Sequence, residues 1–158
     1  MAAGRSLEDN IGVRLSRLGE VFTRLARLVV EQPHGLRGTE LRILNTLDGA
    51  ESVPINAIAR KTHIDKAWIS RSVRDLEAKG LVGRRADTGD SRKIHAFLTD
   101  PGRALLNEIR PLARAAELRV LAGIDEERLK ADLDSVLCNT EAILDNAERV
   151  IADRKSEG

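Results

Sequence analysis

"DKAWISRSVRDLEAKGLVGRRADTGDSRKIHAFLTDPGR", residues 65–103, holds the decision about the fold. Asp65 has the chemistry of a helix N-cap, because a short carboxylate accepts the unpaired N–H groups of the first turn. Ile69, Val73 and Leu76 then recur at helical spacing, while Lys66, Arg71, Arg74 and Lys79 fall off their face. Gly80 stands where a helix ends on a left-handed residue. Two short β-prone runs follow, "LVGRRA" and "RKIHAFLT", joined by the turn-forming "DTGDS". In the second run Ile94, Ala96 and Leu98 alternate with His95 and Phe97. Thr99, with Asp100 and Pro101 after it, caps another helix.

Working outward, "VPINAIARKTH" carries a short helical pattern with Ile55, Ile58 and Ala59 on one face. Only a few residues separate it from the basic helix, which is the spacing of a helix-turn-helix. A hairpin directly after such a pair is a wing. Before it, "TELRILNTLDG" predicts a helix with Leu41, Leu44 and Leu47 inward, ended by Gly49. Nearer the start, Ser6 and Asp9 approximate a capping box ahead of a stripe at Ile11, Leu15, Leu18, Phe22, Leu25 and Val29. Pro33, Gly35 and Gly38 end that helix. After the wing, one helix is expected to run from Thr99 towards Leu121 with a kink at Pro111, and a last one to start near Asp125.

The reading is a mainly α chain with a small β-hairpin wing. A winged helix-turn-helix over residues 38–100 sits between an N-terminal helix, 6–32, and two C-terminal helices, 101–153, in a single unit of 1–158. The terminal stripes exceed what a domain of this size can cover, so they are expected to pack on a second copy, two-fold dimers being the commonest oligomers.

Composition narrows the function. No apolar run approaches bilayer length and the start lacks an apolar leader, so a cytoplasmic location is expected. The one cysteine, Cys138, cannot form an internal disulfide. Net charge is only +1, yet Arg60–Lys93 holds ten basic residues against five acids, and Glu117–Glu157 holds eleven acids against six bases. A basic middle points to a polyanionic partner. No nucleophile–base pair, carboxylate pair or phosphate loop is present; "GLRGTE" lacks the Lys-Ser/Thr of a P-loop, so an enzyme is not expected.

These residues resemble the MarR family of winged-helix transcription regulators, and the resemblance covers nearly the whole chain. It is carried by Leu76, Glu77, Lys79, Gly80, Leu81 and Val82 at the end of the recognition helix, Asp90 and Arg92 in the wing, and Leu98, Thr99 and Gly102 after it. The resemblance implies a homodimer with interleaved terminal helices. It also implies binding of double-stranded DNA at a pseudo-palindromic operator, usually as a repressor relieved by a small-molecule effector or by oxidation. Ser91 departs from the family, which often has Arg between the wing Asp and Arg.

The candidate DNA-binding residues are Lys66, Ala67, Trp68, Ser70, Arg71 and Arg74 on the recognition helix and Asp90, Arg92 and Lys93 in the wing. Arg71 matches a position at which the family contacts bases, and bidentate Arg to guanine is the commonest specific contact. Lys66 and Arg74 are expected on phosphates. Trp68 has two open readings, core packing or contact with the sugar–phosphate edge or a thymine methyl. Arg92 is expected in the minor groove, with Asp90 orienting its guanidinium. Asp87 is read as turn chemistry.

No cofactor or metal is expected, since His34, His63 and His95 have no neighbour at ligand spacing and suit surface or capping roles. A protein-interaction winged helix and a redox- or metal-responsive regulator are the alternatives. Asp134 and Glu141 flank Cys138 on its helix and disfavour a thiolate. The resemblance implies an effector pocket between the dimer helices and the winged domain, often for aromatic acids, but no residue of this chain can be assigned to it. Phe22, Phe97 and Trp68 are the only aromatic side chains.

Overall fold

The computed structural model describes residues 10–87, 89 and 93–156. Its elements follow in the order α1 (Ile11–Ala26), a π-helical turn (Arg27–Glu31), α2 (Gly38–Leu47), β1 (Val53–Pro54), α3 (Ile55–Thr62), α4 (Lys66–Ala78), β2 (Val82–Ala86), β3 (Ile94–Leu98), α5 (Asp100–Val120) and α6 (Glu126–Ser156). The fold is mainly α with a small antiparallel sheet, as expected, but the sheet has three strands in the order β1-β3-β2. Val53 pairs with Ala96 and Pro54 with His95, a strand too short to show a period in the sequence.

The core belongs to the helix-turn-helix and its wing. Ile43, Leu44, Leu47, Ile58, Ile69, Val73, Leu76, Ala96 and Leu106 are almost wholly covered. At roughly 1.5–3 kcal/mol for each large apolar side chain buried, this cluster is the main driving force for the unit. The α4 stripe Ile69–Val73–Leu76 therefore faces inward, which turns Lys66, Arg71 and Arg74 out to solvent.

Both ends of α4 are closed as the chemistry of residues 65–80 predicts. The Asp65 carboxylate accepts from Ala67 N at 2.9 Å and Trp68 N at 3.0 Å. At the other end Gly80 has φ 72°, its N–H reaches Glu77 O and that of Leu81 reaches Leu76 O, the paired bonds of a Schellman stop. Helix α3 closes the same way on His63, whose φ of 52° places a non-glycine residue in the left-handed region. His63 N–H bonds to Arg60 O and Ile64 N–H to Ala59 O.

The wing root is knitted to the end of α4 by backbone. Thr99 N–H donates to Leu81 O at 3.2 Å, and Thr99 Oγ1 donates to Gly80 O at 2.7 Å while accepting from Gly102 N. Gly102 lies so close to the Leu81 carbonyl that a Cβ there would collide with backbone. The Leu-Thr-x-x-Gly signature thus records a close packing of α5 on the recognition-helix terminus.

The expected N-terminal helix begins later in the described region, capped by Asn10, whose side chain accepts from Gly12 N at 2.8 Å; Ser6 and Asp9 lie outside the described residues. Its last turn widens to π geometry at Arg27–Glu31, which the apolar spacing does not reveal. Helix α5 continues through Pro111 to Val120. The chain divides into two compact units, one ending at Ala116 and one starting at Glu117. In the first, α1 exposes Ile11, Val13, Leu18, Val21 and Phe22; in the second, α6 exposes Leu133, Val136, Leu137, Ile143 and Leu144. Among the described residues no helix is long and apolar enough to cross a membrane.

Candidate nucleic-acid interface

The described basic residues of α3, α4 and β2, with Lys79, separate into two sets. One set is neutralised. Lys79 Nζ sits 2.9 and 2.8 Å from the two carboxylate oxygens of Glu40. Arg84 Nε reaches Glu77 at 2.7 Å, and Arg85 Nη2 reaches Glu51 at 2.8 Å and Ser52 Oγ at 2.9 Å. Arg85 also holds the Glu51 carboxyl below its ordinary value, by hydrogen bond first and by charge second.

The other set faces water with no hydrogen bond or ion pair to the described residues. It comprises Arg60 and Lys61 at the end of α3 and Lys66, Arg71 and Arg74 on α4, all exposed. Unpaired cations on a helix-turn-helix are what a phosphate backbone neutralises on binding.

Two hollows flank α4. One, of about 390 Å³, is lined by Pro54, Asn56, Arg60, Lys66, Ser70 and Lys93 among others, so α3, α4 and the wing bring three cations to one concavity. The other, of about 230 Å³, is lined by Arg37, Trp68, Arg71, Ser72, Arg74 and Asp75. Arg60, Asn56 and Arg37 were not singled out by sequence, because only the packing of α3 and of the α2 entrance against α4 brings them beside the recognition helix.

Lys66, Trp68, Arg71 and Arg74 lie exposed on α4, Ala67 is exposed beside them, and Ser70 is half-buried at the edge of the larger hollow. Trp68 resolves towards the surface: it is 46% exposed, its Nε1–H donates to Thr39 Oγ1 at 3.3 Å, and the Arg71 guanidinium stands 5.1 Å from its ring centroid. Lys93 is exposed at the wing neck, where its carbonyl accepts from Asp87 N at 2.9 Å. Asp90, Ser91 and Arg92 lie outside the described residues.

Asp87 does more than shape a turn. One carboxylate oxygen accepts from Gly89 N at 2.9 Å, and the other stands 3.0 Å from His95 Nε2 on the opposite strand. His95 Nδ1 in turn lies 3.3 Å from Ser52 Oγ. This histidine, like His34, is largely covered and not a surface residue; His34 Nδ1 donates to Val30 O at 2.7 Å. His63 has the capping role expected of it. Among the described residues no group of three His, Cys, Asp or Glu side chains could hold a metal, and Cys138 is free and exposed.

Behind the interface, a buried acid ties α4 to α2. Glu40 is 0% exposed and its carboxylate accepts from Lys79, from Arg37 N at 2.7 Å and from Arg37 Nη2 at 3.2 Å. Arg37 also pairs with Asp75 on α4. Burial works to raise the Glu40 carboxyl, but the bonds from Lys79 and Arg37 outweigh it and hold the group below its ordinary value.

The MarR family model matches residues 34–93, the span from the α2 entrance to the start of the second wing strand. The HTH-type transcriptional repressor Rv2887 of Mycobacterium tuberculosis is 31% identical over 114 residues, which are 72% of this chain and 81% of that protein. The chain belongs to the MarR family. Another relative, the HTH-type transcriptional regulator MhqR of Bacillus subtilis, is 34% identical over 61% of this chain and 67% of its own length. Among solved structures, CouR from Rhodococcus jostii RHA1 bound to p-coumaroyl-CoA superposes with a TM-score of 0.75 at 29% identity, covering 84% of this chain and 93% of CouR. As a MarR-family protein the chain is a DNA-binding transcription regulator, and its curated relatives are regulators of transcription.

Proposed function

We propose that the chain represses transcription in the cytoplasm by binding a pseudo-palindromic operator as a homodimer, with α4 in the major groove and the wing beside the minor groove. The observation that carries this is the partition of charge: Lys79, Arg84 and Arg85 are held by carboxylates, whereas Arg60, Lys61, Lys66, Arg71 and Arg74 are left to solvent on one helix-turn-helix. A protein-interaction winged helix has no need of that strip.

In this reading Arg71 reads a base, Lys66, Arg60 and Lys93 hold phosphates at the larger hollow, and Arg74 and Arg37 hold them at the smaller. Arg92 enters the minor groove, with Asp90 orienting it. The winged region is 38–100, and residues 6–32 and 101–153 supply dimer helices. A second copy covers the apolar side chains that α1 and α6 each expose, whose number exceeds what isolated surface residues need. A small-molecule effector relieves the repression, as the ligand-bound state of CouR suggests.

The test is fluorescence anisotropy with duplexes enriched from a random library by the full chain, together with light scattering. Binding that weakens steeply with salt, and a mass of two chains, are the expected results. Undiminished binding by an Arg71→Ala, Arg92→Ala double variant would overturn the site, and a monomeric mass at micromolar concentration would overturn the dimer.

A further inference from the structure

Trp68 is not explained by charge. It stands in the first turn of α4 and is about half exposed, although the chain has only three aromatic side chains and the next residue, Ile69, is wholly buried in the core. The ring is pinned at both ends. Its own backbone N–H is held by the Asp65 carboxylate at 3.0 Å, and its indole N–H by Thr39 Oγ1 at 3.3 Å on α2. An indole fixed in this way cannot swing with α4 alone; it is referenced to a second helix.

Arg71 follows one turn later and lays its guanidinium over that ring, 5.1 Å from the centroid. A cation–π contact engages the charge of the guanidinium and does not consume its fork of N–H donors. Among the described residues no carboxylate or carbonyl competes for that fork. A free arginine side chain samples many rotamers and loses them on contact; one already ordered on a ring loses fewer.

The geometry points to Trp68 as a positioning residue for base readout: its indole, tethered through Thr39, holds the Arg71 guanidinium as a preformed fork for the O6 and N7 acceptors of a guanine. The inference rests on the DNA interface assigned above. It makes Trp68 a determinant of specificity and not of general affinity, because phosphate contacts need no such aim.

The experiment uses the full chain and the duplex it enriches from a random library, compared with a duplex of unrelated sequence. Trp68→Leu should weaken the enriched duplex about fivefold and leave the unrelated one within about twofold, while Trp68→Phe, which keeps a ring but loses the bond to Thr39, should fall between the two. Replacing the contacted guanine by 7-deazaguanine should weaken the wild-type chain and have much less effect on Trp68→Leu. In an Arg71→Ala background Trp68→Leu should add little, since the two act as one unit. Equal weakening on both duplexes, or full additivity with Arg71→Ala, would overturn the assignment while leaving DNA reading intact. A chain that enriches no sequence would overturn the DNA reading and this inference with it.

Discussion

Glu40→Gln tests whether the recognition helix is held by the buried carboxylate beneath it. The wild-type side chain is fully covered and accepts two bonds from Lys79 and two from Arg37. The amide keeps the volume but not the charge, and it turns an NH₂ group towards the Lys79 and Arg37 donors, which keep only their bonds to the Gly35 carbonyl and to Asp75. Each charge-assisted bond contributes about 1.5–3 kcal/mol, and removing one member of a buried pair costs about 3–5 kcal/mol. Lys79 and Arg37 remain 37% and 56% exposed and can turn back to water, so the cost belongs at the lower end, about 3 kcal/mol. For a chain of this length that is a drop in Tm of roughly 6–12 °C, read by thermal melts at fixed protein concentration.

The pH dependence supplies the sign. A carboxyl held below its ordinary value when folded contributes stability that is present above the unfolded value of 4.5 and is lost as pH falls through the folded one. The gap between wild type and Glu40→Gln should therefore be full at pH 7 and close on the acid side of the ordinary carboxylate range. A variant within about 0.5 kcal/mol of wild type at pH 7, or a gap that persists unchanged into acid, would refute the reasoning.

Other expectations follow from the same geometry. Lys66→Ala should reduce the slope of log affinity against log salt by about one and weaken enriched and unrelated duplexes alike, measured by anisotropy over a salt series. Gly102→Val should destabilise by about 2 kcal/mol or more in urea unfolding, because the obstacle is the Leu81 backbone and not a movable side chain. His63→Gly should raise stability by about 0.5–1 kcal/mol, since glycine adopts the left-handed conformation of that C-cap without strain. Arg85→Ala should leave salt dependence of DNA binding unchanged, its charge being occupied by Glu51.

The helix-turn-helix and wing were legible because their signals are local. Asp65 caps within three residues, Gly80 stops the helix within two, and Ile69, Val73 and Leu76 set the buried face by spacing alone. What escaped depends on residues far apart in sequence. Glu40 reads as one more polar residue on α2 until Lys79, thirty-nine positions later, is packed over it. β1 is two residues long and exists only through its pairing with β3. Asp87 reads as a turn former until His95 comes across from the next strand. The charge count between Arg60 and Lys93 likewise overstated the interface, because sequence cannot tell a paired arginine from a free one. The roles proposed for Asp90 and Arg92, which lie outside the described residues, rest on the resemblance to MarR proteins.

The joint at Gly80, Leu81, Thr99 and Gly102 has a consequence for the DNA and not only for the protein. Backbone bonds and a contact too tight for a Cβ fix the distance from the recognition helix to the root of the wing, so the pair acts as a rigid gauge. In the proposed docking, a duplex that engages both has to bring its major and minor grooves to that spacing by its own bending. Base steps that bend at small cost are then selected at positions no side chain touches.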